Sequence, residues 1–241
     1  MKQRELNDLL AENTYPGRGI VLGLSPDGKK AALAYFIMGR SAGSRSRAFV
    51  KSGDDLDIRI LDAGKVADAS LILYSPLRTL PGITVVTNGD QTDTIRDALG
   101  AGKTFEQALE TRRFEPDAPH FTPRISGMLR FAGAFSYKLS ILKAGDPDGK
   151  AALRQAFDYE PVAGVGHFIH TYDGDGKVLP SFSGEPKPVS IPDEIDAFAN
   201  GVWTSLNADN KISLYVRYTD LQCGAYEDRL FNQYVTEENP A

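Results

Sequence analysis

The sequence predicts an α+β fold built on large antiparallel sheets, organised as a single domain over residues 1–241. Three observations carry that expectation. Apolar runs of strand length recur along most of the chain, Gly, Pro and Asp clusters punctuate them, and helical periodicity is confined to a few stretches. With 41% hydrophobic residues the chain can bury a sizeable core, and neither a repeat nor an interdomain linker interrupts it.

Residues 2–11 carry Leu6, Leu9 and Leu10 at helical spacing and predict a short amphipathic helix. Strands are expected over 17–24 (GRGIVLGL), 30–38 (KAALAYFIM), 47–52 (RAFVKS), 56–61 (LDIRIL), 70–75 (SLILYS) and 83–88 (ITVVTN). Between the first two, SPDGKK supplies the Asp-Gly pair of a hairpin turn. A helical stretch over 93–112 follows, broken by GAGK. RISGMLRF (124–131), AFSYKLSIL (134–142), ALRQAFDYE (152–160) and GVGHFIHTY (164–172) return to the strand pattern, with AGDPDGK as a loop. IPDEIDAFANGVWTSL (191–206) predicts a helix whose first turn suits Pro192 and the acids. KISLYVRYTD (211–220) is the last expected strand.

Lys and Arg number 27 against 32 Asp and Glu, for a net charge of −5, which argues against a nucleic-acid partner. No run approaches the roughly 20 apolar residues of a membrane helix, and the charged start MKQRELNDLLAEN is unlike a signal peptide. The one cysteine, Cys223, has no intrachain partner, which fits a reducing cytoplasm.

Several motifs fail on inspection. LGAGKT lacks the leading glycine of a phosphate loop, since Asp97 stands there, and DGDGK has Lys177 and Gly184 where a calcium loop needs oxygen ligands. His167 and His170, three apart on a strand, point to opposite faces and cannot share a metal. No metal and no cofactor is therefore expected. Cys223 reads as a buried or inert thiol, because no activating base is near it in sequence.

Three segments carry chemistry. MGRSAGSRSRAF (38–49) sets Arg40, Arg45 and Arg47 among Ser, Ala and Gly; if RSRAFV is a strand, Arg45 and Arg47 share a face. Planar guanidinium forks suit phosphate oxygens, though a solvated turn or a short Arg-Ser tract has the same composition. TNGDQTDTIRDAL (87–99) is a strand-to-helix turn that gathers backbone donors with Asn88, Asp90 and Asp93, where a plain helix cap is the simpler role for either acid alone. FEPDAPHFTPRI (114–125) holds Glu115, Asp117 and Arg124 on a proline-stiffened segment, a fitting place for a general base and equally the form of an ordinary connector.

Together, YPGRGIVLG, MGRSAGSRSRAF, VVTNGDQTDTI and FEPDAPHFTPRI, in that order, resemble the archaeal-type IMP cyclohydrolases, with HTYDGDGKVLPSFSGE as a fainter later match. Phe121 stands where the family pattern expects a polar residue before Thr-Pro-Arg. The resemblance implies a four-layer αββα sandwich of antiparallel sheets like that of N-terminal-nucleophile hydrolases, without the nucleophile, since this chain starts MKQREL. It implies closure of the purine ring of 5-formamidoimidazole-4-carboxamide ribotide to IMP, with a small-molecule nucleotide as partner, no membrane, and a homo-oligomer. It places these residues near one site, at which Tyr74, Glu115 and Arg124 are the candidate catalytic groups and Arg18, Arg40, Ser41, Arg45, Arg47, Asn88, Gly89 and Asp93 the candidate substrate contacts. Two other functions stay open on the same fold: an amide hydrolase acting on a nucleotide-like substrate, and a non-catalytic nucleotide sensor.

Overall fold

A computed structural model describes residues 3–66 and 72–235. In chain order the elements are α1 (Leu6–Glu12), β1 (Arg18–Leu24), β2 (Lys30–Met38), α2 (Ala42–Arg45), β3 (Arg47–Ser52), β4 (Asp55–Ile60), a 3-10 turn (Ala63–Lys65), β5 (Leu77–Leu80) and β6 (Ile83–Thr87). Then come α3 (Gln91–Gly100), α4 (Phe105–Leu109), β7 (Arg124–Arg130), β8 (Ser136–Ala144), β9 (Ala152–Tyr159), β10 (Val165–His170), β11 (Lys187–Ser190), α5 (Ile195–Ser205), β12 (Lys211–Asp220) and β13 (Tyr226–Asn232).

The strands form two antiparallel sheets, in the orders β11-β10-β1-β2-β12-β13 and β3-β4-β5-β6-β7-β8-β9. Local sequence starts the first: the Asp-Gly turn expected between β1 and β2 is present, with Gly28 at φ 73, and it sets Ile20 opposite Tyr35 and Arg18 opposite Ile37. Strand alternation then divides the side chains between two cores. Ile20, Leu22, Leu33, Tyr35 and Ile37 of the first sheet pack with Phe49, Leu56, Val86, Ile125, Leu129 and Leu139 of the second. The opposite face of the first sheet, including Val21, Ala34 and Phe36, buries the apolar stripes of α1 and α5. On the far side, Val85, Met128 and Leu142 lie under Ile95 of α3 and Phe105 and Leu109 of α4. Helices, sheet, sheet and helices thus stack in that order. At one border the Asn232 side chain accepts from Phe49 N at 2.9 Å and donates to Phe49 O at 3.0 Å, tying the end of β13 to the edge of the other sheet.

Some expected elements are corrected. Arg45 is not on a strand: Ser41 and Ser44 form a capping box that closes Ala42–Arg45 into α2, so Arg45 and Arg47 do not share a strand face. Of the strand expected over 70–75, residues 70 and 71 lie outside the described residues, and Ile72 to Ser75 form turns and bends. Pairing begins instead at β5, where Leu77 opposes Val86. The helix expected from Pro192 starts at Ile195, and β11 precedes it. β13 completes a hairpin after Cys223, whose thiol is exposed rather than buried. Among the described residues no helix is long and apolar enough to cross a membrane.

Candidate functional site

Strand alternation points Arg18, at the start of β1, and Arg47, at the start of β3, into the space between the sheets, alongside their core neighbours Ile20 and Phe49. Tyr35 of β2 comes in from the same side, stacked on Phe49 with ring centroids 5.4 Å apart. Its hydroxyl shares a 2.7 Å hydrogen bond with that of Tyr74, which approaches from the segment before β5. Glu115 and Tyr172 complete the group: Glu115 precedes β7 on a segment fastened by its own N–H to Thr122 O at 2.9 Å, and Tyr172 follows β10. Arg47, Tyr35, Tyr74, Glu115 and Tyr172 are all buried, and Arg18 is partly buried.

Among the described residues, four polar atoms of this compartment find no partner: Arg18 Nε, Arg47 Nη1 and Nη2, and Glu115 Oε1. Arg47 is held, among the described residues, through Nε alone, which donates to Ser44 O at 2.9 Å. A buried unsatisfied donor costs about 1–3 kcal/mol, and more when charged. A guanidinium kept with both Nη groups free therefore marks a place built for an absent acceptor.

The electrostatics agree. Burial, and after it the like charge of Arg18, holds Arg47 below its ordinary range. Burial also works against Arg18, yet the Glu115 carboxylate holds its guanidinium above the usual value. Burial raises Glu115, only partly offset by Arg18 and Arg124. Burial likewise raises Tyr74 and Tyr35, the former against the pull of Arg47 and Arg18. Two guanidinium groups with one reluctant carboxylate leave a net positive pocket, which favours an anion, and a carboxyl that burial inclines to hold a proton.

The other expected residues lie elsewhere or are otherwise engaged. Arg40 is exposed, paired with Asp175 at 2.5 Å and 5.0 Å from the Tyr15 ring centre. Ser41 caps α2, and Arg45 donates to Gly39 O and Asn210 Oδ1, each at 3.2 Å. Asp93 pairs with Arg78 and Arg96 at 3.2 and 2.8 Å. Asn88 spends its side chain on the backbone, accepting from Ile125 N and donating to Pro123 O, both at 2.8 Å. Gly89 leaves no room for a Cβ, because Arg124 Nη1 occupies that space. Arg124 itself is clamped by Gln91 Oε1 and Asp90, each at 2.7 Å, and reaches the compartment through its field on Glu115. Of the expected residues the fold thus gathers Arg18, Arg47, Tyr74 and Glu115, with Arg124 behind them.

Tyr35 and Tyr172 were not legible as site residues. A tyrosine inside the otherwise apolar KAALAYFIM run needs a hydroxyl partner once buried, which is a signal, but nothing local names Tyr74 as that partner.

One open cavity takes in Tyr74 and another lies at the junction of α2 and β3. The first, of about 480 Å³, is lined by Tyr74 with Asp57, Asp90 and Asp93, a poor seat for an anion. The other, of about 410 Å³, is lined by Arg45, Ser46 and Tyr234 together with Lys65 and Asp62, which pair at 3.0 Å. Among the described residues no three His, Cys, Asp or Glu side chains converge as a metal site.

Comparison with known proteins gives two findings. A family model described as IMP cyclohydrolase-like protein matches residues 15–223, well past the stretch in which the four motifs lie. An IMP cyclohydrolase of Methanocaldococcus jannaschii is 32% identical to this chain over 119 residues. That alignment covers 48% of this chain and 56% of the archaeal protein, so the chain spans little more than half the length of that relative.

Proposed function

Because the chain belongs to the IMP cyclohydrolase-like family, we propose that it closes the purine ring of 5-formamidoimidazole-4-carboxamide ribotide, giving IMP and water. The observation that carries the reading is the set of unpartnered Arg18, Arg47 and Glu115 atoms in one buried compartment. The stacking of helices and sheets supports the finer architecture, a single-domain four-layer αββα sandwich like that of N-terminal-nucleophile hydrolases. A homo-oligomer in the cytoplasm belongs to the same reading.

In the proposed reaction the carboxamide nitrogen attacks the formyl carbon. Both groups sit on one imidazole, so their encounter is already intramolecular and the protein has to fix rotamers, charge and protons. Arg47, with its fork free, and Arg18 hold the 5′-phosphate and spend that remote binding on the pose. Glu115 takes the proton of the attacking nitrogen. Tyr74, anchored by Tyr35, donates to the formyl oxygen as it becomes an oxyanion. The formamide nitrogen then gives its proton to that oxygen, which leaves as water as the C–O bond breaks and the C=N bond forms: two protons leave nitrogen and two leave with oxygen.

Purified protein incubated with the formamido ribotide, with no cofactor added and with or without a chelator, is expected to accumulate IMP at the same rate in both arms. Release of formate and the amino ribotide would instead identify an amide hydrolase, and binding without turnover a sensor. Either outcome overturns the ring-closure reading.

A further inference from the structure

Tyr74 sits on a stretch of chain that no strand ladder holds. The inference drawn from this rests on the ring-closure reading and concerns what aims the Tyr74 hydroxyl. Ile72 to Ser75 form turns and bends, and attachment to β6 begins only after them, where Thr87 N donates to Pro76 O at 2.8 Å. On the β4 side, among the described residues, Leu56 opposite Leu77 is the one paired position. A side chain on such a stretch keeps a fixed place only when other side chains supply what the ladder does not.

They do so from the outer face of the sheet. Asp55 and Asp57, two apart on β4, share that face, while Leu56 between them points into the core. Asp55 Oδ1 accepts from Thr79 N at 2.8 Å. Arg78 of β5 donates from Nη1 to Asp55 Oδ2 at 3.1 Å and to Asp57 Oδ1 at 3.2 Å. From Nε it donates to Asp93 Oδ1, in the first turn of α3, at 3.2 Å. These bonds meet at Ser75, whose hydroxyl donates to Asp57 Oδ1 at 2.5 Å and accepts from Arg78 Nη2. With its one proton given and a lone pair taken, that hydroxyl is fixed in both directions. The next residue back is Tyr74, buried among the core side chains, with its hydroxyl 2.7 Å from that of Tyr35. One peptide unit thus carries an outward grip and an inward hydroxyl. Joining β4 to β5 needs only Arg78 and its acids; Ser75 lies outside both strands, and gripping it adds nothing to that joint.

We propose that Ser75, Asp57 and Arg78 form an outer clamp that holds Tyr74 against Tyr35, with Asp93 anchoring Arg78 from α3. All four are positioning residues that act through Tyr74. Asp93 of the TNGDQTDTI segment thereby serves the site through Arg78 and Ser75 instead of contacting the nucleotide.

The test uses Ser75→Ala in the full chain, which removes the gripped hydroxyl and leaves Arg78 paired with its acids. We expect kcat to fall at least about tenfold, short of the 10²–10⁴ for losing a proton-transfer group itself. IMP affinity and thermal midpoint should hold, and Ser75→Thr, which keeps the hydroxyl, should retain kcat. Because the clamp acts through Tyr74, Ser75→Ala should cost nothing further in a Tyr74→Phe background. Parent-like kcat in Ser75→Ala overturns the clamp, and so does an equal loss in both backgrounds. The geometry is also readable without turnover: a crystal structure of Ser75→Ala should show Tyr74 Oη beyond hydrogen-bond distance of Tyr35 Oη. A pair still at 2.7 Å in that variant overturns the clamp whether or not the parent closes the ring. Failure of the parent protein to close the ring would overturn the ring-closure reading instead, so the two failures are separable.

Discussion

Glu115→Gln lowers kcat by about 10²- to 10⁴-fold, the range for removing a positioned acid or base, and leaves IMP affinity near the parent's. The substitution keeps shape and hydrogen-bonding reach but removes the carboxylate proposed as the proton acceptor. Its setting also fixes a pH signature. Burial raises the Glu115 carboxyl above its ordinary 4.5, so the base form is lost, and kcat falls, at a higher pH than for an ordinary carboxylate. The stability effect has the opposite sign. Between 4.5 and the raised value the folded state holds a proton that the unfolded state has already lost, so this residue's contribution declines as pH rises through that window. Glu115→Gln should remove that decline. A variant with parent kcat would leave Glu115 as a brace for its segment, and a lowered thermal midpoint would mark that outcome.

Arg47→Met weakens IMP binding by about 1.5–3 kcal/mol, or roughly 10- to 150-fold, the range for a hydrogen bond to a charged group. Stability without ligand should hold or rise, because the variant exchanges a buried cation with two unpartnered nitrogens for an apolar side chain. Arg47→Lys should also bind weakly, since an ammonium cannot replace the fork. Arg40→Ala serves as the contrast. Its guanidinium forms an exposed pair with Asp175, and such pairs contribute about 0–1 kcal/mol. Calorimetric titration with IMP and a thermal melt on each variant read both arms. Parent-like IMP binding in Arg47→Met would remove the phosphate from this compartment.

The sequence held much of this, unevenly. The β1–β2 hairpin was legible because an Asp-Gly turn and two apolar runs say the same thing locally. Glu115 was visible because prolines stiffen the segment that bears it. The arginine cluster divided for a reason also written in the sequence but read differently: Ser41 and Ser44 sit at capping-box spacing and make a helix of what an alternating pattern makes a strand. The SLILYS run misled because its tyrosine and serine are buried through hydroxyl partners rather than sheet pairing, Tyr74 on Tyr35 and Ser75 on Asp57 at 2.5 Å. β11 and β13 escaped notice because edge strands need only one half-buried face. KPVS carries a proline and YEDRLFN mixes charges with its apolar residues. Tyr35–Tyr74 and Thr122–Tyr172 join residues far apart in the chain, so only the fold could pair them.

A crystal structure of the protein with IMP bound shows whether the nucleotide's phosphate lies between the sheets on Arg47 and Arg18. Phosphate oxygens are expected within hydrogen-bond distance of Arg47 Nη1 and Nη2, with the base edge toward Tyr74 and Glu115. IMP seated on the outer surface at Arg40 and Arg45, with both Nη groups of Arg47 still unpartnered, would contradict it.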